Sequence, residues 1–211
     1  MYITSGAYKG RRIKTLSANA PDGYRPATAK VRQAIFSMLD ARGLDWERSA
    51  VLDLFAGSGA LGFEALSRGA AYACFVEKDK AAVRCIEDNL GTLAVPASRA
   101  LVLHKDLFAA LKRGPGQFPR PARHGFGLVC IDPPYGQNML GPALAAVLDK
   151  GWAATHAFVL AEIETRSDFA AATCDYRLEP LVDREYGQTR IVLWQIKTPP
   201  ARSSTPAPSI P

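Results

Sequence analysis

From Ser49 onward, short apolar runs alternate with stretches whose apolar residues recur every three or four positions. Ala50-Val51-Leu52-Asp53-Leu54 is the first run, and helical spacing follows through Leu61, Ala65 and Leu66. Ala73 to Glu77, Ala100 to Leu103 and Leu128 to Asp132 repeat the strand pattern, with a helix predicted from Lys80 to Leu90. Near-continuous apolar strands separated by helices are buried on both faces, as in a parallel sheet. Ala157 to Ala161 continues the series, and Tyr176 to Pro180 with Arg190 to Ile196 predict a closing antiparallel pair. The expected fold is α/β: a doubly wound, mostly parallel, seven-stranded sheet whose ligands sit beyond the carboxyl ends of the strands. Asp53, Glu77, Asp106 and Asp132 all fall at or just after such ends.

Ahead of the sheet, Met1 to Leu16 mixes β-forming residues with Gly6 and Gly10 and reads as a short hairpin. Arg25-Pro26 leads into Thr28, the expected N-cap of a helix with Val31, Ile35, Met38 and Leu39 on its apolar face and Gly43 closing it. Thr198 to Pro211 holds five prolines and little to bury, the mark of a disordered tail. The expected organisation is one domain over residues 1–197, including a basic extension at 1–43, followed by the tail at 198–211.

A length of 211 residues suits one domain with a core of its own, and 48% hydrophobic with 22% charged residues describes a globular protein. Nothing near Met1 resembles a signal-peptide core, and no apolar run approaches the ~18 residues of a membrane span, so a cytoplasmic protein is expected. Cys74, Cys85, Cys130 and Cys174 form no C-x-x-C pair and read as buried reduced thiols; His104, His124 and His156 are equally scattered, so no metal is expected.

Charge changes the picture more than composition does. The net charge is +6, and residues 1–32 alone hold seven basic side chains against one acid, a balance of +6. Lys9, Arg11, Arg12, Lys14, Arg25, Lys30 and Arg32 form a candidate phosphate-gripping arm, although a solvated basic strand edge would look the same. Lys112, Arg113, Arg120 and Arg123 add +4 within a Gly/Pro-rich segment that reads equally well as a flexible loop.

Two motifs carry chemistry. Gly57-Ser58-Gly59-Ala60-Leu61-Gly62 is a strand-to-helix turn of the G-x-G-x-x-G type, which lets backbone approach a ligand closely. Phe63-Glu64 stands where a phosphate loop needs Lys and Ser/Thr, which argues against an NTPase. Glu77 lies twenty positions after Gly57, where a carboxylate can accept from ribose hydroxyls, and Asp106 can accept from an adenine amino group. Asp132-Pro133-Pro134-Tyr135 is the second motif. Its prolines supply no N–H, so the turn presents carbonyls and a carboxylate, a surface suited to a planar exocyclic amine. Tyr135 can stack on the base.

These segments resemble the S-adenosylmethionine-dependent methyltransferases that modify exocyclic amino nitrogens. More narrowly, Ser5-Gly6 with Tyr8-Lys9-Gly10-Arg11-Arg12, Val31-Arg32 with Ala34-Ile35-Phe36, Glu64 to Ala70 and Tyr186-Gly187 are similar to the bacterial 16S ribosomal RNA guanine-N2 methyltransferases of the RsmD family. The resemblance implies a Rossmann-like class I fold and S-adenosyl-L-methionine as cofactor. It implies a guanine of 16S rRNA, in the 30S subunit or a late precursor, as substrate, with a monomer acting away from membranes. It assigns Asp53, Phe55, Ala56, Gly57, Ser58, Gly59, Glu77, Lys78, Asp106 and Leu107 to the cofactor. Asp132, Pro133, Pro134 and Tyr135 fall to catalysis, and Lys9, Arg11, Arg12, Arg25 and Arg32 to the RNA. Ala27 and Ala29 depart from the family's polar residues around Thr28. An adenine-N6 DNA methyltransferase and a non-catalytic RNA-binding assembly factor use overlapping features; a nicotinamide dehydrogenase would have no need of Asp132 to Tyr135.

Overall fold

Residues 1–16, 28–119 and 121–198 are described by the computed structural model of the chain. Seven strands form one sheet: β1 (Ala50–Leu54), β2 (Tyr72–Glu77), β3 (Ala100–His104), β4 (Phe126–Ile131), β5 (Ala153–Glu164), β6 (Leu178–Tyr186) and β7 (Thr189–Ile196). Their order is β3-β2-β1-β4-β5-β7-β6, with β1 to β5 parallel and β7 antiparallel to both β5 and β6. This is the expected mostly parallel, seven-stranded sheet. Its boundaries differ: β5 extends at both ends beyond its apolar run into less apolar residues, and β6, on the sheet edge, runs on to Tyr186 through mostly exposed residues.

Helices cover both faces. On one side α4 (Leu107–Leu111) and α5 (Leu140–Asp149) pack Leu107, Leu111, Leu144 and Val147 over Leu52, Leu54, Val129 and Val159. On the other, α1 (Ala29–Ala41) and α2 (Ala60–Ser67) cover Val51, Leu128 and Leu160, while α3 (Lys80–Leu93) closes over Phe75. Alternate residues of each strand therefore face opposite layers. The expected cap of α1 is present, with Thr28 Oγ1 accepting from Val31 N at 3.3 Å.

Met1 to Leu16 forms the expected short hairpin, with one antiparallel bridge, Tyr2 to Arg12, a bond from Ile3 N to the Arg11 carbonyl at 3.1 Å, and buried Ile3 and Ile13 as anchors. One segment differs from expectation. The described residues that follow α4 are packed where flexibility was the alternative: Phe118 meets Phe126 and Trp152 edge-on, and Trp152 Nε1 donates to the Leu111 carbonyl at 3.0 Å. Arg25, Arg120 and the predicted tail from Pro199 on lie outside the described residues. All four cysteines are unpaired; three are buried and Cys174 is half-buried.

Candidate active site

The strand order reverses between β1 and β4, and the turns leaving both strands open at that point. Phe55 has a left-handed φ of 57°, and Gly57 and Gly59 follow at 54° and 79°. A non-glycine residue in this region costs about 1–2 kcal/mol. Gly62 is required for packing, since a Cβ there would lie 2.2 Å from the Phe75 ring.

Carboxylates brace this turn. Asp53 Oδ2 accepts from Gly62 N at 2.9 Å, which ties the end of β1 to α2. Burial pushes the Asp53 carboxyl up to about 7, with the Gly62 hydrogen bond opposing and Glu77 adding to the rise. Glu77 Oε2 accepts from Gly57 N and its Oε1 from Asp79 N, both at 2.8 Å. The carboxylate expected to meet a ribose thus also holds the glycine turn. Ala56, Ser58 and Gly59 are buried in that turn. Lys78 is exposed, and its carbonyl lies 3.1 Å from His104 Nε2. Asp106 caps α4, its Oδ1 accepting from Phe108 N at 2.9 Å and Ala109 N at 3.3 Å, and Leu107 is buried beside it.

Asp132 to Tyr135 leaves β4 next to these groups. Burial, then Glu162, then Asp53 hold the Asp132 carboxyl well above the usual carboxylate range. Pairing of Ile131 with Ala161 makes Asp132 and Glu162 neighbours at the ends of β4 and β5. Glu162 is 2% exposed, and its Oε2 has no hydrogen-bond partner among the described residues. Burial also raises the Glu162 carboxyl, against the pull of the Arg32 guanidinium and of a hydrogen bond from Thr189. Tyr135 Oη lies 3.2 Å from Thr189 Oγ1. Beyond this turn, residues between Pro133 and Gly141 and between Ile163 and Phe169 line an open cavity of about 500 Å³. Arg190 steadies its far wall by donating to the Ser167 and Phe169 carbonyls, each at 3.1 Å, while Asp183 grips the same guanidinium through two bonds of 2.7 Å.

The basic arm is docked rather than free. Thr4 N and Oγ1 both donate to Glu64, which is 1% exposed on α2, and Ala7 N donates to the Ser67 carbonyl at 2.7 Å. A Cβ on Gly6 would sit 1.8 Å from that carbonyl, so the contact needs glycine. Asn89 of α3 accepts from Lys14 N at 2.7 Å and donates to the Lys14 carbonyl at 3.1 Å and the Ser58 carbonyl at 3.4 Å. Lys9, Arg11 and Arg12 are exposed, although Arg11 also donates to the Thr92 carbonyl. Arg32 corrects the expectation from sequence: it is 2% exposed, donates to the Tyr2 carbonyl at 2.9 Å and faces Glu162. Its position on the inner face of α1 takes it away from any phosphate.

The family model described as "Conserved hypothetical protein 95" matches residues 1–195. The chain belongs to this family, the RsmD family. It is 32% identical over 195 residues to the ribosomal RNA small subunit methyltransferase D of Escherichia coli K12, covering 92% of this chain and 88% of that protein. The protein of the same name from Haemophilus influenzae is 33% identical over 162 residues, 77% of this chain and 78% of its own. The solved structure of Escherichia coli yhhF superposes with a TM-score of 0.76 at 31% identity, covering 93% of this chain and 98% of that one. SMU.776, solved in complex with SAH, shares the fold at 12% identity and a TM-score of 0.60, over 79% of this chain and 50% of that one. The fold is that of the class I S-adenosylmethionine-dependent methyltransferases.

Within this RsmD-family site, Glu162, Thr189, Arg190 and Asn89 are not singled out by the sequence pattern. Glu162 carried a usable signal, because it directly follows the apolar run Ala157 to Ala161 just as Asp132 follows Leu128 to Ile131. Thr189, Arg190 and Asn89 matter through partners distant in sequence, such as Tyr135, Phe169 and Ser58, which local pattern does not record.

Proposed function

We propose that the chain is an rRNA methyltransferase that moves a methyl group from S-adenosyl-L-methionine to the exocyclic N2 of one guanine in 16S rRNA, in the 30S subunit or a late precursor. The observation that carries this reading is the Asp132-Pro133-Pro134-Tyr135 turn, set between the glycine turn and the 500 Å³ cavity. Family membership and relatives named for small-subunit rRNA methylation support it. Residues 1–197 act as one unit, a cytoplasmic monomer, in this reading.

The residues suit the cofactor. The glycine turn offers close backbone approach, Glu77 and Asp106 offer acceptors for sugar and base, and a sulfonium cation close by would favour the ionised forms of Asp53 and Asp132 against the burial that raises both. When bound, S-adenosylmethionine supplies an electrophilic sulfonium methyl. The protein's part is positioning, since oriented reactants can lower the barrier by about 7–11 kcal/mol. Asp132 and the Pro133 carbonyl accept the two amine hydrogens, which leaves the nitrogen lone pair free to attack. The N–C bond would form as the S–CH₃ bond of the bound donor broke, its electron pair leaving with the thioether, so the protein's task is to hold the amine in line with that bond. Asp132 then stands ready for the proton that the methylated nitrogen loses. Stacking on Tyr135 offsets the few kcal/mol needed to bring a guanine out of its stack.

The test is Asp132→Ala, assayed for methyl transfer to naked 16S rRNA, to 30S particles from cells lacking the gene, and to DNA. A decrease of about a hundredfold or more in turnover on the ribosomal substrate is expected. Undiminished transfer would overturn the role of the turn, and wild-type activity confined to DNA would overturn the RNA assignment.

A further inference from the structure

We propose that Thr189 is a positioning residue for this reaction, holding Tyr135 in its stacking orientation with buried Glu162 as the anchor; the proposal rests on Asp132 to Tyr135 being the methyl-transfer turn. Tyr135 and Thr189 are 54 residues apart in sequence and 3.2 Å apart at their hydroxyl oxygens. A threonine hydroxyl has one hydrogen to give. Glu162 takes it, because the Thr189 bond favours the ionised form of this carboxyl against the burial that raises it. Tyr135 is then the donor, and the order runs from Tyr135 through Thr189 to Glu162.

The anchor is buried and faced by a cation. Glu162 is 2% exposed on β5, and the Arg32 guanidinium on α1 faces it. Stability alone does not account for it, because a buried carboxylate oxygen without a partner among the described residues, as at Glu162 Oε2, is unfavourable. What the carboxylate gains is control of a ring that lines the same cavity as Phe169. A ring free to swing would present the base to Asp132 at varying angles, and misplacement of about 1 Å can cost up to about a hundredfold in rate.

The test compares Thr189→Val with Thr189→Ser, using 30S particles from cells lacking the gene. Thr189→Val is expected to lower kcat about tenfold, with S-adenosylhomocysteine affinity by calorimetry and the thermal midpoint unchanged, while Thr189→Ser restores kcat. In a Tyr135→Phe background, Thr189→Val is expected to add nothing, and Glu162→Gln is expected to cost less than in the wild type. Wild-type kcat in Thr189→Val, or no recovery in Thr189→Ser, would overturn the proposal while Asp132→Ala remained inactive. An active Asp132→Ala would instead remove the reading on which it rests.

Discussion

Asp53, Asp132 and Glu162 share the carboxyl ends of three neighbouring strands, with Arg32 as the cation facing Glu162. For Asp53 the folded carboxyl titrates at about 7 against an ordinary 3.8. A raised value means that the folded state holds the proton more tightly, so the stability this gives is complete below 3.8 and is lost as pH rises through about 7. Asp53→Asn keeps an acceptor for Gly62 N and has no charge to bury. Its urea midpoint is expected to exceed that of the wild type at pH 8, with the advantage shrinking towards pH 5; a constant difference across that range would contradict the assignment. The sequence alone pointed to Asp53, Glu77 and Asp132, since carboxylates that end apolar strands stand out. It did not disclose that Glu77 holds Gly57 and Asp53 holds Gly62, because those bonds depend on the left-handed turn at Phe55.

At the scale of elements, α2 joins the parts of the molecule. Its first turn carries the glycine motif, and its later residues Glu64 and Ser67 carry the N-terminal arm. Gly62→Ala would force a methyl group to within 2.2 Å of the buried Phe75 ring, where neither strand nor helix can yield. A destabilisation of about 1–3 kcal/mol in denaturant unfolding is expected, the cost of overpacking a filled core. The seven strands, the antiparallel edge pair and the helices α1, α2 and α3 were legible from apolar period, whereas α4 and α5 were not singled out. The arm's docking was not, because Thr4 and Glu64 are 60 residues apart. Residues 112–125 misled for another reason: prolines and glycines obscured Phe118, the aromatic that says the segment is packed.

For the whole molecule, charge is divided between a basic edge and a carboxylate-lined crevice. The Lys9 and Arg12 side chains are exposed on that edge, so reversing both to Glu tests it with little disturbance of the fold. RNA affinity is expected to fall, and the slope of log affinity against log salt to become shallower by about 0.7–0.9 for each phosphate that is no longer neutralised. Cofactor affinity should hold; an equal fall in both would signal misfolding. That the two regions are separate in charge does not make them independent. Asn89 grips Lys14 of the arm with two bonds and the Ser58 carbonyl of the glycine turn with a third. One amide therefore joins the proposed RNA-binding arm to the proposed cofactor turn, and for those two ligands thermodynamic reciprocity applies: whatever factor RNA adds to cofactor affinity, cofactor must add to RNA affinity. Asn89→Ala should bring that shared factor towards one from both directions at once.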